Sequence, residues 1–428
     1  MQVWKKSQIG AALSASLAVH AQILVDCSGT NPAAYPSISA ALPNAGPGST
    51  ILVTGACNEN VFIQAATSLN LGAWYGQTVT INGNITVDHS PFVYLYGLNV
   101  TNPNGNGFDV NSSSVILDTC TSSGNAGNGL NAAFQGDVVV VASGAFDGNG
   151  GFGISASGNS WVGLAPFAGL ADISNNTGPG IYIDASIVGS ASNTNVIDNG
   201  FGGSFAGGAG VAMLDGSTMG LSSYEGPNIV QGNAGGGISL GEASRLSVFG
   251  PTGGPLNLIQ NNGPFGIQAG FGSQVTLSNA TVVSDHSGPG LDVYANSQVY
   301  VNGSVQILRN GTNSDPRSAG IRVDGNSEAY LRSAEVSQNN GPAILALVNS
   351  SIDFTGMTFS NDLGIINCDS SSAMVSDLSP PASTPPSVRC KTLHLLGNHR
   401  GGASALKSLD LSEYKTLHAK YKKLATKH

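Results

Sequence analysis

Only five basic side chains lie between residues 22 and 388, and four of them fall in one late stretch, at Arg309, Arg317, Arg322 and Arg332. Carboxylates are mixed among them, at Asp292, Asp315, Asp324, Glu328 and Glu335. Guanidinium groups beside carboxylates serve two kinds of chemistry. They hold ligand hydroxyl or carboxylate groups through charge-assisted hydrogen bonds, or they supply acid, base and charge stabilisation to a bond cleavage. Asp292, Arg322, Asp324 and Glu328 are the candidates for the second role. Tyr300, Tyr330 and Arg332 are candidates for binding, because aromatic faces hold flat ligands such as sugar rings. A structural alternative competes: opposite charges paired across strands contribute about 0.2–1 kcal/mol each, and aligned tyrosines stack without a ligand. Asp285-His286 has the residue types of an acid–base pair.

What places these residues is a repeat. A glycine preceding a short apolar strand recurs at Gly107, Gly129, Gly153, Gly180, Gly210, Gly237, Gly266, Gly290 and Gly320, with Ala343 as a tenth member, at spacings of 22 to 30 residues. One and three residues after this marker every position is apolar, as at Phe108 and Val110 or Ile321 and Val323. That is the period of a strand with one buried face. Two residues after the marker the side chain points outward, which sets Asp292 and Arg322 in one column, about 5 Å apart on adjacent coils. Tyr300 and Tyr330 share a second outward column, beside Glu328. A serine seven residues after the marker, as at Ser273 and Ser297, opens a second strand, and a third leads into the next marker. Three strands per repeat, joined by bends, form a coil whose turns stack.

Asparagine stands four residues before the marker at Asn125, Asn149, Asn176, Asn233, Asn262 and Asn339, and His286 takes that place once. Side chains about 4.8 Å apart on stacked coils can hydrogen-bond from coil to coil. These residues therefore read as a structural ladder, with His286 as one of its rungs and not a catalytic base.

This pattern resembles the right-handed parallel β-helix proteins of the pectin-lyase-like superfamily over roughly residues 22–375. The segment "YPSISAALPNAGPGSTILVTGACNENVFI" is similar to the superfamily's entry segment, in which a short helix, here about Tyr35–Asn44, caps the first coil. The resemblance implies an all-β, right-handed three-sheet parallel β-helix solenoid of about 12 coils. The superfamily includes pectate lyases, polygalacturonases, pectin methylesterases, alginate epimerases, phage tailspikes and adhesins. The hydrolase series N-T-D, D-D, G-H-G and R-I-K is absent from this sequence, as are the paired aspartates and Q-D-T-L-type segments of the methylesterases. No motif indicates a cofactor or a metal, calcium included.

Composition sets the remaining bounds. Residues 22–388 carry 23 acidic and 5 basic side chains, and residues 389–428 carry 9 basic and 2 acidic. An acidic body argues against nucleic acid as partner. Residues 1–21 read as a signal peptide, with Lys5 and Lys6 before the apolar run "IGAALSASLAV", so the chain is expected to be secreted, cell-surface or periplasmic. No other apolar run is long enough to span a bilayer. Cys27 pairs with Cys57 if their strands are neighbours, and Cys368 with Cys390. Cys120 reads as a small buried apolar residue. The β-helix domain occupies 22–377, a proline-rich linker 378–390 and a basic tail 391–428, whose Tyr414, Leu417, Tyr421 and Leu424 form one face of an amphipathic helix. Two functions are in play: a binding or surface module contacting polysaccharide or a cell-surface glycan, and a lyase or glycoside hydrolase acting on an acidic polysaccharide.

Overall fold

The computed structural model describes residues 22–165, 169–190, 193–201, 208–224, 226–312, 318–360, 362, 364–369, 371–376 and 393–394. Residues 1–21, read as a signal peptide, Asp315, Arg317, Cys390, residues 378–390, read as a linker, and most of 391–428 lie outside the described residues, as do the centres of the two long corner insertions. Leu393–His394 forms a two-residue strand beside Ala373–Ser376.

Alternation in the sequence becomes alternation in space. In the strand Gln298–Asn302, Val299 and Val301 are buried while Gln298 and Tyr300 face outward. Each strand pairs in parallel with its counterpart one coil later, and the ten residues after the markers stack in one inner row. Phe108 aligns with Leu130, then Ile154, Ile181, Val211, Ile238, Ile267, Leu291, Ile321 and Ile344. None of the ten is more than 1% exposed. Burying a side chain of this size contributes about 1.5–3 kcal/mol.

Among the described residues the fold is an all-β parallel solenoid of about 14 turns with one short helix. The strands hydrogen-bond into two sheets, a major one of 27 strands and a minor one of 13. Three sheets were expected. The strands Ser114–Ser122 and Asp137–Ala145 are each nine residues long and run through a corner. They thereby join the ladder that holds Gln298–Asn302 to the ladder that holds Val305–Leu308. The expected coil number was low because the outermost coils lack the glycine marker. Asn60 and Asn84 precede the minor-sheet strands Val61–Gln64 and Ile85–Asp88, and the last minor-sheet strand, Gly364–Cys368, follows no marker of its own.

The first coil is closed by the helix Ile38–Ala41, shorter than the sequence suggested because Pro43 shifts the chain into a 3-10 turn, Leu42–Asn44. The Ser37 hydroxyl accepts from the Ala40 amide, and the Glu59 carboxylate accepts from the Ile38 and Ser39 amides at 2.8 and 2.9 Å. The free amides of the helix's first turn are thus capped, and Ile38 and Ala41 are fully buried. The strands Gln22–Asp26 and Ser49–Thr54 pair in register, and just beyond them Cys27 and Cys57 form the expected disulfide. Cys120 is a buried free thiol.

The asparagine ladder is continuous and longer than its sequence signature. His286 is joined to its neighbours through main-chain N–H groups, while between successive asparagine rungs the amide nitrogen donates to the next side-chain oxygen, as from Asn149 to Asn176 at 2.8 Å and from Asn233 to Asn262 at 2.9 Å. The same oxygen also accepts the main-chain N–H of the preceding rung. The second amide hydrogen goes to a carbonyl, as from Asn176 to Phe146 at 2.9 Å. Asn199 and Asn310 are further rungs. The corner insertions had separated them from their markers. The marker glycines exist for this ladder: a β-carbon on Gly153 would lie 2.7 Å from Asn176 Nδ2 and 2.5 Å from Ile173 Cγ2. The glycine makes room for the next coil's asparagine.

Candidate functional site

The late charged stretch divides between two sheets. Asp292 and Arg322 are register partners on the outer face of the minor sheet, and the Arg322 guanidinium lies 3.5 Å from Asp292 and 2.6 Å from Asp324. Gln268, one coil earlier in the same column, donates to the second oxygen of Asp292 at 3.2 Å. All three charged side chains are at most 20% exposed. This is a closed ion-pair cluster. Its arginine is held between two carboxylates.

Glu328 does not belong to that cluster. It starts the strand Glu328–Arg332 on the major sheet, beyond the corner at Gly325 and Asn326. Spacing along the chain had suggested one neighbourhood, but the turn between the two strands sends the side chains to different faces. There Glu328 joins the tyrosines. Tyr300 and Tyr330 are register partners whose rings stack 4.9 Å apart at 5°. The Tyr330 hydroxyl donates to Glu328 at 2.9 Å, Gln298 donates to the same oxygen at 3.1 Å, and the Tyr300 hydroxyl donates to Gln298 at 3.2 Å. Burial, and then the bond to Glu328, push the Tyr330 phenol up to about 12, so it remains a donor. Arg332 meets Asp353 on the next coil at 2.6 Å and also donates to its carbonyl. Stacking consumes the inner ring faces; Thr276 and Asp353 flank the outer ones in the column. What this surface offers a ligand is ring edges, hydroxyls, an amide and carboxylates.

Gln268 and Gln298 carry neither charge nor a ring, and Asp353 lies one coil beyond the arginine-rich stretch, so none stood out in the sequence. Reading each outward column one coil further in both directions would have found all three.

His286 and Asp285 do not form an acid–base pair. His286 is a ladder rung: its Nδ1 accepts the Asn262 main-chain N–H at 3.2 Å, and Nε2 lies 3.0 Å from the Ile259 carbonyl. Because a main-chain N–H only donates, Nε2 carries the proton of a neutral ring. Burial holds its pKa down, to about 4. Asp285 instead binds Arg309 through both oxygens at 2.7 and 2.8 Å, and that guanidinium holds the carboxyl below its usual range.

A cleft of about 490 Å³ lies far from these residues, between the Leu42–Pro47 segment and Phe62–Leu69, and no ionisable side chain lines it. Among the described residues no helix is long and apolar enough to cross a membrane. Among the described residues the one close group of potential metal ligands, Cys27, Cys57 and Glu59, has both thiols committed to the disulfide.

The stacking register, the inner row and the ladder together define a parallel β-helix. No protein-family model matches the chain, and no curated protein matches it in sequence. Among solved structures, the Agl-KA catalytic domain is similar at 9% identity and a TM-score of 0.45, over 79% of this chain and 64% of that one. This chain therefore spans less than two thirds of that domain. Pectate lyase Pel9A is similar at 14% identity and a TM-score of 0.22, over 91% of this chain and 84% of that one.

Proposed function

We propose that the chain is a secreted, non-catalytic β-helix protein that binds neutral polysaccharide on the outer face of the major sheet, around Tyr300, Tyr330, Gln298 and Glu328. The observation that carries this reading is the paired-off state of the late charged stretch. Arg309, Arg322 and Arg332 each hold a carboxylate, and His286 is a neutral structural rung. A lyase or hydrolase mechanism needs a group free to take or give a proton, and none of these candidates is free. An acidic ligand would need cations that these pairs already occupy. Sugar hydroxyls, in contrast, match the carboxylate acceptors and amide groups beside the tyrosines, and C–H surfaces match the ring edges. Export is supported by the Cys27–Cys57 disulfide and by the basic-then-apolar start of the sequence.

The test is affinity electrophoresis through gels containing neutral polysaccharides. Tyr330→Ala is expected to weaken retardation, and Arg322→Ala, on the other sheet, to leave it unchanged. Retardation that depends on Arg322 and not on Tyr330 would overturn the assignment.

A further inference from the structure

A second aromatic surface lies at the other end of the major sheet, in coils whose sequence lacks the glycine marker. The turn after the strand Leu69–Ala73 is closed by a hydrogen bond from the Gln77 amide to the Trp74 carbonyl at 3.0 Å, with Gly76 in the left-handed region at φ 69°. It presents Trp74 and Tyr75 at its tip, 39% and 80% exposed. Folding gains little from rings left in water, and grouped exposed aromatics mark a contact surface.

The strand Val93–Tyr96, one coil later, adds two more rings on its outward side. Tyr94 and Tyr96 lie 5.5 Å apart between centroids. Tyr96 lies flat against the preceding coil because its register partner there is Gly72; a β-carbon on Gly72 would fall 2.4 Å from the ring. Tyr94 donates to Asp118 on the following coil, and Thr119 donates to the other oxygen of that carboxylate at 2.9 Å. Burial, and then the nearby Tyr75 hydroxyl, raise the Tyr96 phenol, consistent with the turn and the strand forming one surface. Five aromatic side chains, these four and Phe92, thus fall within residues 74–96 of a chain that is only 7% aromatic.

Charge decides which ligand fits. No lysine or arginine occurs anywhere between residues 22 and 244, while 13 carboxylates do. A phosphate, sulfate, uronate or anionic lipid would meet no countercharge here. We propose that Trp74, Tyr75, Tyr94 and Tyr96, with Asp118 as hydrogen-bond acceptor, form a second binding site for neutral glycan, separate from the Tyr300–Tyr330 surface. Tyr94 and Tyr330 stand in the same outward column, linked in register through Ile116, Val139, Gly163, Gly189, Gly220, Ser247, Thr276 and Tyr300. Nine coil steps at about 4.8 Å separate them by about 43 Å. This site takes its ligand class from its own charge environment and does not depend on the first site being correct.

The test is calorimetric titration of the full chain with neutral gluco-, xylo- and manno-oligosaccharides too short to span both sites. Two binding events per chain are expected. The double variant Trp74→Ala/Tyr75→Ala, which changes only exposed side chains, should lose one event or weaken it at least about tenfold, with its circular dichroism unchanged. Tyr330→Ala should lose the other. Binding that Tyr330→Ala removes and the turn variant leaves intact overturns this site alone. The converse result upholds it and overturns the Tyr300–Tyr330 assignment. If the wild-type chain instead self-associates in sedimentation without sugar, and the turn variant abolishes that, the surface is a protein contact and the proposal fails.

Discussion

The ladder position of His286 makes a quantitative acid-sensitivity test available. In the folded chain its pKa is held to about 4, against an ordinary 6.5, chiefly by burial. Protonation would also set an Nδ1–H against the Asn262 N–H that it now accepts. The unfolded chain therefore binds this proton more readily than the folded one between these two values. Stability from this group is complete above pH 6.5 and is lost as pH falls toward 4. From pH 7.5 to pH 5 the linkage amounts to about 2 kcal/mol. Carboxylates titrate in the same range, so the comparison must be internal. His286→Asn supplies that comparison, because asparagine fills the same rung elsewhere and can restore the amide-to-amide bond from Asn262. Urea midpoints at pH 7.5 and pH 5 should show the variant losing about 2 kcal/mol less than the wild type on acidification. Equal losses in the two proteins would refute the neutral, buried rung, and an unfolded variant would refute the equivalence of the two residues.

Other substitutions probe the same construction. Asn176→Ala strips acceptors from the Asn149 amide and main-chain N–H and a donor from the Phe146 carbonyl, and urea denaturation should register a loss of about 3–6 kcal/mol. Gly153→Ala drives a β-carbon into Ile173 and Asn176 and should cost about 1–3 kcal/mol by the same assay. Replacing Cys27 and Cys57 by serine opens a link across 30 residues and should lower stability by about 3 kcal/mol. Cys120 is 1% exposed and its thiol is pushed up to about 12 by burial. Mass spectrometry should find it unmodified by iodoacetamide in the native protein and fully alkylated in urea.

The fold was legible wherever one coil constrains the next through a side chain of fixed type. Phe108 and its nine counterparts repeat because each fills the same slot in the inner row, and the marker glycines repeat because each admits an asparagine from the following coil. Where that coupling is interrupted the signature fades. Asn199 and Asn310 do the same work as Asn176, but an insertion parts each from its glycine. The early coils use Asn60 and Asn84 at the marker position and show only in the alternation of their strands. The union of two expected sheets depends on the corners near Thr119 and Ala142, where both residues take positive φ angles, and no residue type announces that. The site was legible as columns but not as faces. Asp292 with Arg322, and Tyr300 with Tyr330, align as their shared spacing implies. Glu328 was grouped both with Asp292 and with the tyrosines, and a turn of a few residues separates it from the first while the second neighbours meet it. Trp74 and Tyr75 stand in a turn, and turns carry no period by which to find them.

The central claim is that this β-helix holds neutral polysaccharide on its outer surface and leaves it intact. The most direct measurement is to incubate the purified chain with neutral and with uronate-containing polysaccharides, then to weigh the retained and released sugars by mass spectrometry from the same sample. Neutral polymer should be retained at its original length, and uronate polymer neither held nor shortened. Shortened chains, or unsaturated uronate products, would contradict it.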